Sequence, residues 1–145
     1  MKMATIINVL TIKQPWAYLF ASGAKKIETR SWSTTFRGEL FIHASTKASS
    51  HDLELCRLEP VFRKFIPDMQ VLVTGAIIGK VDIIDCLPIS KVCPSEQERR
   101  MGDYRPNRFG WVAAEGSAEL IRPILCQGKL GIWKFEIERE EVCNG

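Results

Sequence analysis

The chain has 145 residues, 46% of them apolar and 26% charged, with a net charge of +3. That is the size and balance of one globular domain with a normal core, and it excludes a disordered or low-complexity chain. The apolar start (Ile6, Ile7, Val9, Leu10) is broken by Asn8 and runs into Lys13, so it does not resemble a signal peptide and none is expected, and no apolar stretch is long enough to span a membrane. Five scattered cysteines (Cys56, Cys86, Cys93, Cys126, Cys143), only two histidines and no C-x-x-C argue against a metal site. Neither metal nor cofactor is expected. Four of the five thiols are expected to be buried and inert, and free thiols without an export signal fit a cytoplasmic protein.

Thr5–Thr11 has the β-branched, apolar character of a strand. Pro15 suits the first position of a helix carrying Trp16, Leu19 and Phe20 at helical spacing, and Gly23 can close it in the left-handed conformation. Extended structure is expected from about Lys26 to Trp32, and a strand over Gly38–Ala44. Ser49 or Ser50 can cap a second helix with Leu55, Leu58 and Phe62 on one stripe, which Pro60 should interrupt. The longest β-rich run is Val71–Leu87, with Gly75 and Gly79 marking bends or bulges. The polar segment Ser90–Asn107 has room for one short helix. Strands follow near Phe109–Ala113 and Gly131–Ile137, with Glu119–Cys126 extended between them. This order predicts one α+β domain over residues 1–145: a small, mostly antiparallel β-barrel with two or three flanking helices.

Charge is concentrated early in the chain. Between Lys13 and Arg37, five cations (Lys13, Lys25, Lys26, Arg30, Arg37) meet one acid, Glu28, for a local charge of +4, so the rest of the chain comes to −1. Local basicity of this kind implies an anionic partner. In a strand, Lys26, Glu28, Arg30 and Trp32 share one face, while Ile27, Thr29 and Ser31 take the other. Lysine and arginine neutralise phosphates, and a tryptophan gives a surface on which an unpaired base stacks. The competing reading is a solvated strand face in which Glu28 bridges Lys26 and Arg30. Trp16, Trp111 and Trp133 sit among apolar neighbours and read as core, leaving Trp32 as the candidate exposed ring. His43 reads as a structural strand residue. Arg99, Arg100, Arg105 and Arg108, partly offset by Glu96, Glu98 and Asp103, read as a solvated loop.

The octad Gly23–Arg30, "GAKKIETR", fits G-x-K-x-x-E-x-R and resembles the signature of the ASCH domain (activating-signal-cointegrator-1 homology). Four further blocks resemble the same family in the same order. They are Gln14–Ala17 ("QPWA"), Arg30–Trp32 with Arg37–Gly38 and His43–Ala44, Gly79–Cys86 ("GKVDIIDC"), and Gly131–Lys134 ("GIWK"). The resemblance implies a PUA-like β-barrel with a cleft beside the first helix, into which the octad's Lys, Glu and Arg point. It also implies three classes of function. The first is a nucleic-acid-binding module, with single-stranded RNA favoured over DNA: Lys13, Lys25, Lys26, Arg30 and Arg37 supply the positive charge, Trp32 stacks, and Thr11, Gln14 and Glu28 read or orient a base edge. The second is a hydrolase acting on a modified nucleoside such as N4-acetylcytidine, or an RNA-cleaving enzyme. Lys25 would then be the catalytic base, and Glu28 stands where the hydrolases carry a threonine nucleophile. The third is a protein-interaction adaptor of the transcription-coactivator type.

Overall fold

The computed structural model describes residues 2–140. The apolar alternation around Thr5–Thr11 is drawn into an eleven-residue strand, β1 (Lys2–Ile12). Ile7 and Val9 face one core and Leu10 and Ile12 another, so both faces of this strand are covered where its sequence is most apolar. After β1 the chain turns through α1 (Trp16–Ala21) and β2 (Ile27–Arg30), then returns as β3 (Gly38–Ala44) parallel to β1, with Thr11 opposite His43. Pro15 precedes the helix as its N-cap instead of occupying the first turn. Gly23 does close it, at φ +86°.

Pro60 does not kink a long helix. It starts a new one, α3 (Pro60–Phe65), directly after α2 (Ser50–Leu58), where its missing N–H removes no helical bond. Ser49 caps α2 by accepting the Asp52 N–H at 3.0 Å. The long β run begins at Ala76, not Val71, because the preceding residues form a 3-10 turn over Met69–Val71. The resulting strand β4 (Ala76–Pro88) is the centre of the sheet. Its first half pairs with β3 and with β6 (Glu119–Leu125), its second half with β5 (Phe109–Ala113). The register shifts at Gly79, where a Cβ would fall 2.6 Å from the Glu119 carbonyl and 2.9 Å from the Ala21 methyl; glycine lets strand and helix approach. A short helix, α4 (Glu96–Arg99), and the last strand, β7 (Ile132–Glu140), complete the element order.

The architecture is α+β, as expected: among the described residues, seven strands in the order β2-β5-β4-β3-β1-β7 with β6 on β4, antiparallel except for β1 with β3. The end strands β2 and β7 do not pair, so the barrel is an open sheet and not a cylinder closed by backbone hydrogen bonds. Four short helices flank it among the described residues. Phe20, Leu40, Ile42, Val81, Ile83 and Trp111 fill the core between α1 and the sheet. Each such side chain contributes about 1.5–3 kcal/mol by leaving water. Leu19, Cys56, Phe62, Ile66 and Met101 form a second core beneath α2 and α3. Of the four described cysteines only Cys56 is buried, with its thiol pKa raised by desolvation. Cys86 and Cys126 are half-buried, Cys93 is exposed, and Cys143 lies outside the described residues. Among the described residues no helix is long and apolar enough to cross a membrane.

Candidate nucleic-acid interface

β2 ends the sheet, so one side of its backbone has no partner strand, and buried side chains take that place. Opposite Val112 of β5, Ile27 turns its N–H and C=O outward. The Glu98 carboxylate accepts the N–H of both Lys26 and Ile27 at 2.8 Å, and the Lys25 ammonium donates to the Ile27 carbonyl. One turn further on, Arg108 Nη2 donates to the Thr29 carbonyl at 3.1 Å. Thr29 Oγ1 in turn accepts the Asp103 N–H at 3.0 Å. An edge satisfied by charged side chains is closed to another strand.

This explains the position of Lys25. It is 1% exposed, under the surface and not on it, with Nζ 3.7 Å from Glu28 Oε1. Burial pushes its pKa below the ordinary value, while the Glu28 and Glu98 carboxylates act in the opposite sense. Glu28, itself 5% exposed, presents its other oxygen to Arg30 Nη1 at 3.1 Å. The Arg30 guanidinium then lies 5.4 Å over the Trp32 ring. Trp32 stands edge-to-face on Trp111 at 4.7 Å, and the Trp111 indole donates to the Trp32 carbonyl at 3.2 Å. Glu28, Arg30 and Trp32 therefore form one wall; Thr29 and Ser31, expected on the opposite face, line the same cleft.

That wall borders a cleft of about 1220 Å³. Thr11 and Lys13 also line it. The other predicted residues do not. Lys26 leaves the row because β2 begins only at Ile27; it is exposed and pairs with Glu115 at 3.3 Å. Gln14 is wholly buried, its amide donating to the Val73 carbonyl at 2.8 Å and its oxygen accepting the Tyr18 N–H at 2.9 Å, so no base edge can reach it. Arg37 folds back onto the Thr34 and Phe36 carbonyls and Asp85, away from the cleft.

Residues far apart in sequence replace them. The loop after α4, which reads as merely solvated, brings Arg100, Arg105 and Arg108 to the cleft, and Lys47 and Lys129 arrive from two other connections. Trp16 is half-buried: it packs against both cores, as expected, and also lines the cleft, with Phe62 edge-on at 6.4 Å. His43 forms part of the floor. Asp103 organises the arginine loop: its hydrogen bonds to Arg105, 2.6 Å at the shortest, hold its carboxyl down at a pKa of about 2. Seven lysines and arginines thus face the cleft with four acids. Lys13, Lys47 and Lys129 make no ion pair among the described residues.

Comparison with known proteins agrees with the motif blocks. The chain is 30% identical over 131 residues to activating signal cointegrator 1 of Homo sapiens and, equally, to that of Mus musculus, covering 88% of this chain and 22% of either relative. It therefore spans about a fifth of the length of these relatives. Among solved structures, the ASCH protein from Zymomonas mobilis aligns at a TM-score of 0.46 with 14% identity over 81% of this chain and 72% of that one. A point mutant of the same protein aligns at 0.47 with 17% identity, covering 81% and 74%. The family model for the ASCH domain matches residues 10–120, most of the chain, and the chain belongs to the ASCH domain family.

Proposed function

We propose that this ASCH domain binds a single-stranded nucleic acid along the cleft, RNA in preference to DNA. The observation that carries the reading is the lining: an excess of lysine and arginine beside two half-buried tryptophans, Trp16 and Trp32. Cations track a phosphate backbone without regard to sequence, and aromatic faces hold unstacked bases. The hydroxyls of Thr29 and Ser45 on the same walls suit a ribose 2′-hydroxyl, which donates and accepts. The test is fluorescence anisotropy with a short single-stranded RNA over a range of salt. Three unpaired lysines predict a slope of log affinity against log salt of about −2, at ~0.7 per phosphate contact. The DNA of the same sequence should bind more weakly. Binding that ignores salt would overturn the assignment and move the weight to the adaptor reading.

One observation favours hydrolysis of a modified nucleoside as a second reading: burial lowers the Lys25 pKa, the direction a general base needs, and Glu28 lies beside it. Against it, the Lys25 ammonium is occupied by the Ile27 carbonyl and does not reach the cleft. Turnover of N4-acetylcytidine that disappears in Lys25→Arg would support this reading, since arginine stays protonated.

A further inference from the structure

The floor of the cleft holds a polar cluster that nucleic-acid binding does not use. His43 is 2% exposed, and its Nε2 lies 2.8 Å from the Cys126 carbonyl oxygen. A carbonyl can only accept, so Nε2 carries the ring proton and Nδ1 is left as an acceptor. Nδ1 lies 3.3 Å from Thr11 Oγ1, on the adjacent parallel strand, and the hydroxyl donates to it. Trp133 Nε1–H donates to that same oxygen at 3.1 Å and packs edge-on against the imidazole, ring centres 5.6 Å apart. Every role is therefore fixed: indole to hydroxyl, hydroxyl to imidazole, imidazole to carbonyl. The backbone of Gly128 lies directly against the pair. A Cβ there would fall 2.8 Å from Thr11 Oγ1 and 2.9 Å from the His43 ring.

A hydroxyl, a base within reach, and a group behind that orients the base are the parts of a nucleophilic site. We propose that Thr11 is a nucleophile and His43 its general base, and that the site hydrolyses an ester borne by an anionic carrier of the nucleotide class. Thr11 Oγ1 attacks the ester carbon as its proton passes to His43 Nδ1. The Trp133 N–H, bonded to Thr11 Oγ1, stabilises the negative charge that this oxygen takes on as its proton leaves. Collapse of the tetrahedral adduct breaks the bond to the carrier's oxygen, which takes the proton from His43 and departs as an alcohol. Water then attacks the acyl-threonine, His43 receives the water's proton and returns it to Thr11 Oγ1, and the acid leaves. Lys13, Lys47 and Lys129 on the cleft walls supply the preference for an anionic carrier. A mononucleotide ester suffices, so the site does not depend on polynucleotide binding.

The test uses the full chain with two probes, p-nitrophenyl acetate and adenosine monophosphate acetylated on its ribose. The expected results are release of acetate from the nucleotide ester and, with the activated ester, an acetyl group on the tryptic peptide Met3–Lys13, placed by fragmentation on Thr11 and not on Thr5. Thr11→Val keeps the shape without the hydroxyl, and it and His43→Gln should each lower both signals by about 10²-fold or more. Thr11→Ser should restore hydrolysis to within about tenfold. Thermal melts confirm that each variant is folded. Acetylation only at lysines, nucleotide-ester hydrolysis unchanged in Thr11→Val, or no hydrolysis by the folded wild type would each overturn the proposal. RNA anisotropy on the same variants reports the binding reading separately, because neither substitution removes a cation.

Discussion

Glu98 Oε1 accepts the Ile27 N–H at 2.8 Å, a side-chain contact in the place where a neighbouring strand would stand, and the Lys26 N–H shares the same oxygen. Ser95 holds the acid in place by capping α4 through the Glu98 N–H at 3.1 Å. Glu98→Ala strands both amides inside the protein, at a cost of about 1–3 kcal/mol each. Glu98→Gln keeps an oxygen acceptor and should cost clearly less. Urea unfolding of the two variants checks this; equal losses would mean that the carboxylate charge, not the hydrogen bonds, matters at this edge.

Lys25→Met removes the cation between Glu28 and Glu98 and leaves buried carboxylate charge with less compensation. Breaking one side of such an arrangement costs about 3–5 kcal/mol. The pH dependence has a definite sign. The folded pKa of Lys25 lies below its ordinary 10.5, so between the two values the unfolded chain binds more protons. The stability difference between wild type and Lys25→Met should therefore grow in favour of wild type as pH rises towards 10.5. A difference that shrinks over that range would show that the Glu28 and Glu98 carboxylates outweigh burial and raise the folded pKa.

Asp103 neutralises Arg105 and lies 3.5 Å from Arg108 Nε. Asp103→Asn releases cationic charge at the cleft, so RNA affinity should rise and the salt slope steepen by about 0.7 for each phosphate newly contacted. The carboxyl titrates near pH 2 when folded, below its ordinary 3.8. Its contribution to stability is present above 3.8 and disappears as pH falls from there towards 2. Because the pair is partly exposed, that contribution is small. Acid-unfolding midpoints of wild type and Asp103→Asn check the sign.

Trp32→Ala should weaken single-stranded RNA binding by about 1–3 kcal/mol and leave the salt slope unchanged, because stacking releases no counterions. Lys47→Ala and Lys129→Ala should each make the slope shallower by about 0.7. Lys26→Ala and Arg37→Ala are the controls, since neither side chain lines the cleft. A slope that responds to Lys26 or Arg37 and ignores Lys47 would place the nucleic acid on another face.

The local elements were legible because they are set by neighbours in the chain. β3 and β5 occur with the boundaries read from alternation, Ser49 and Gly23 cap as their chemistry dictates, and Val81 and Ile83 are buried in β4. The five motif blocks likewise sufficed for the family, since each is made of short pieces close together in the chain. Alternation also put Glu28, Arg30 and Trp32 together, but it turned Thr29 and Ser31 away from the cleft that they line as well.

What alternation along one strand could not supply was which side of that strand would meet water. β2 became the end of the sheet, so Lys25 was drawn inward to satisfy the Ile27 carbonyl, and Gln14 was spent on Val73 and the α1 backbone. The cleft itself is a product of long-range packing. Arg100, Arg105 and Arg108 are seventy or so residues beyond Arg30, and Thr11 meets His43 and Trp133 only because β1 lies between β3 and β7. The sequence by itself determined the strands, the caps, the family and the net positive charge. Only the tertiary structure decided which charges face a ligand, because burial and ion pairing depend on partners that the chain brings together from distant segments.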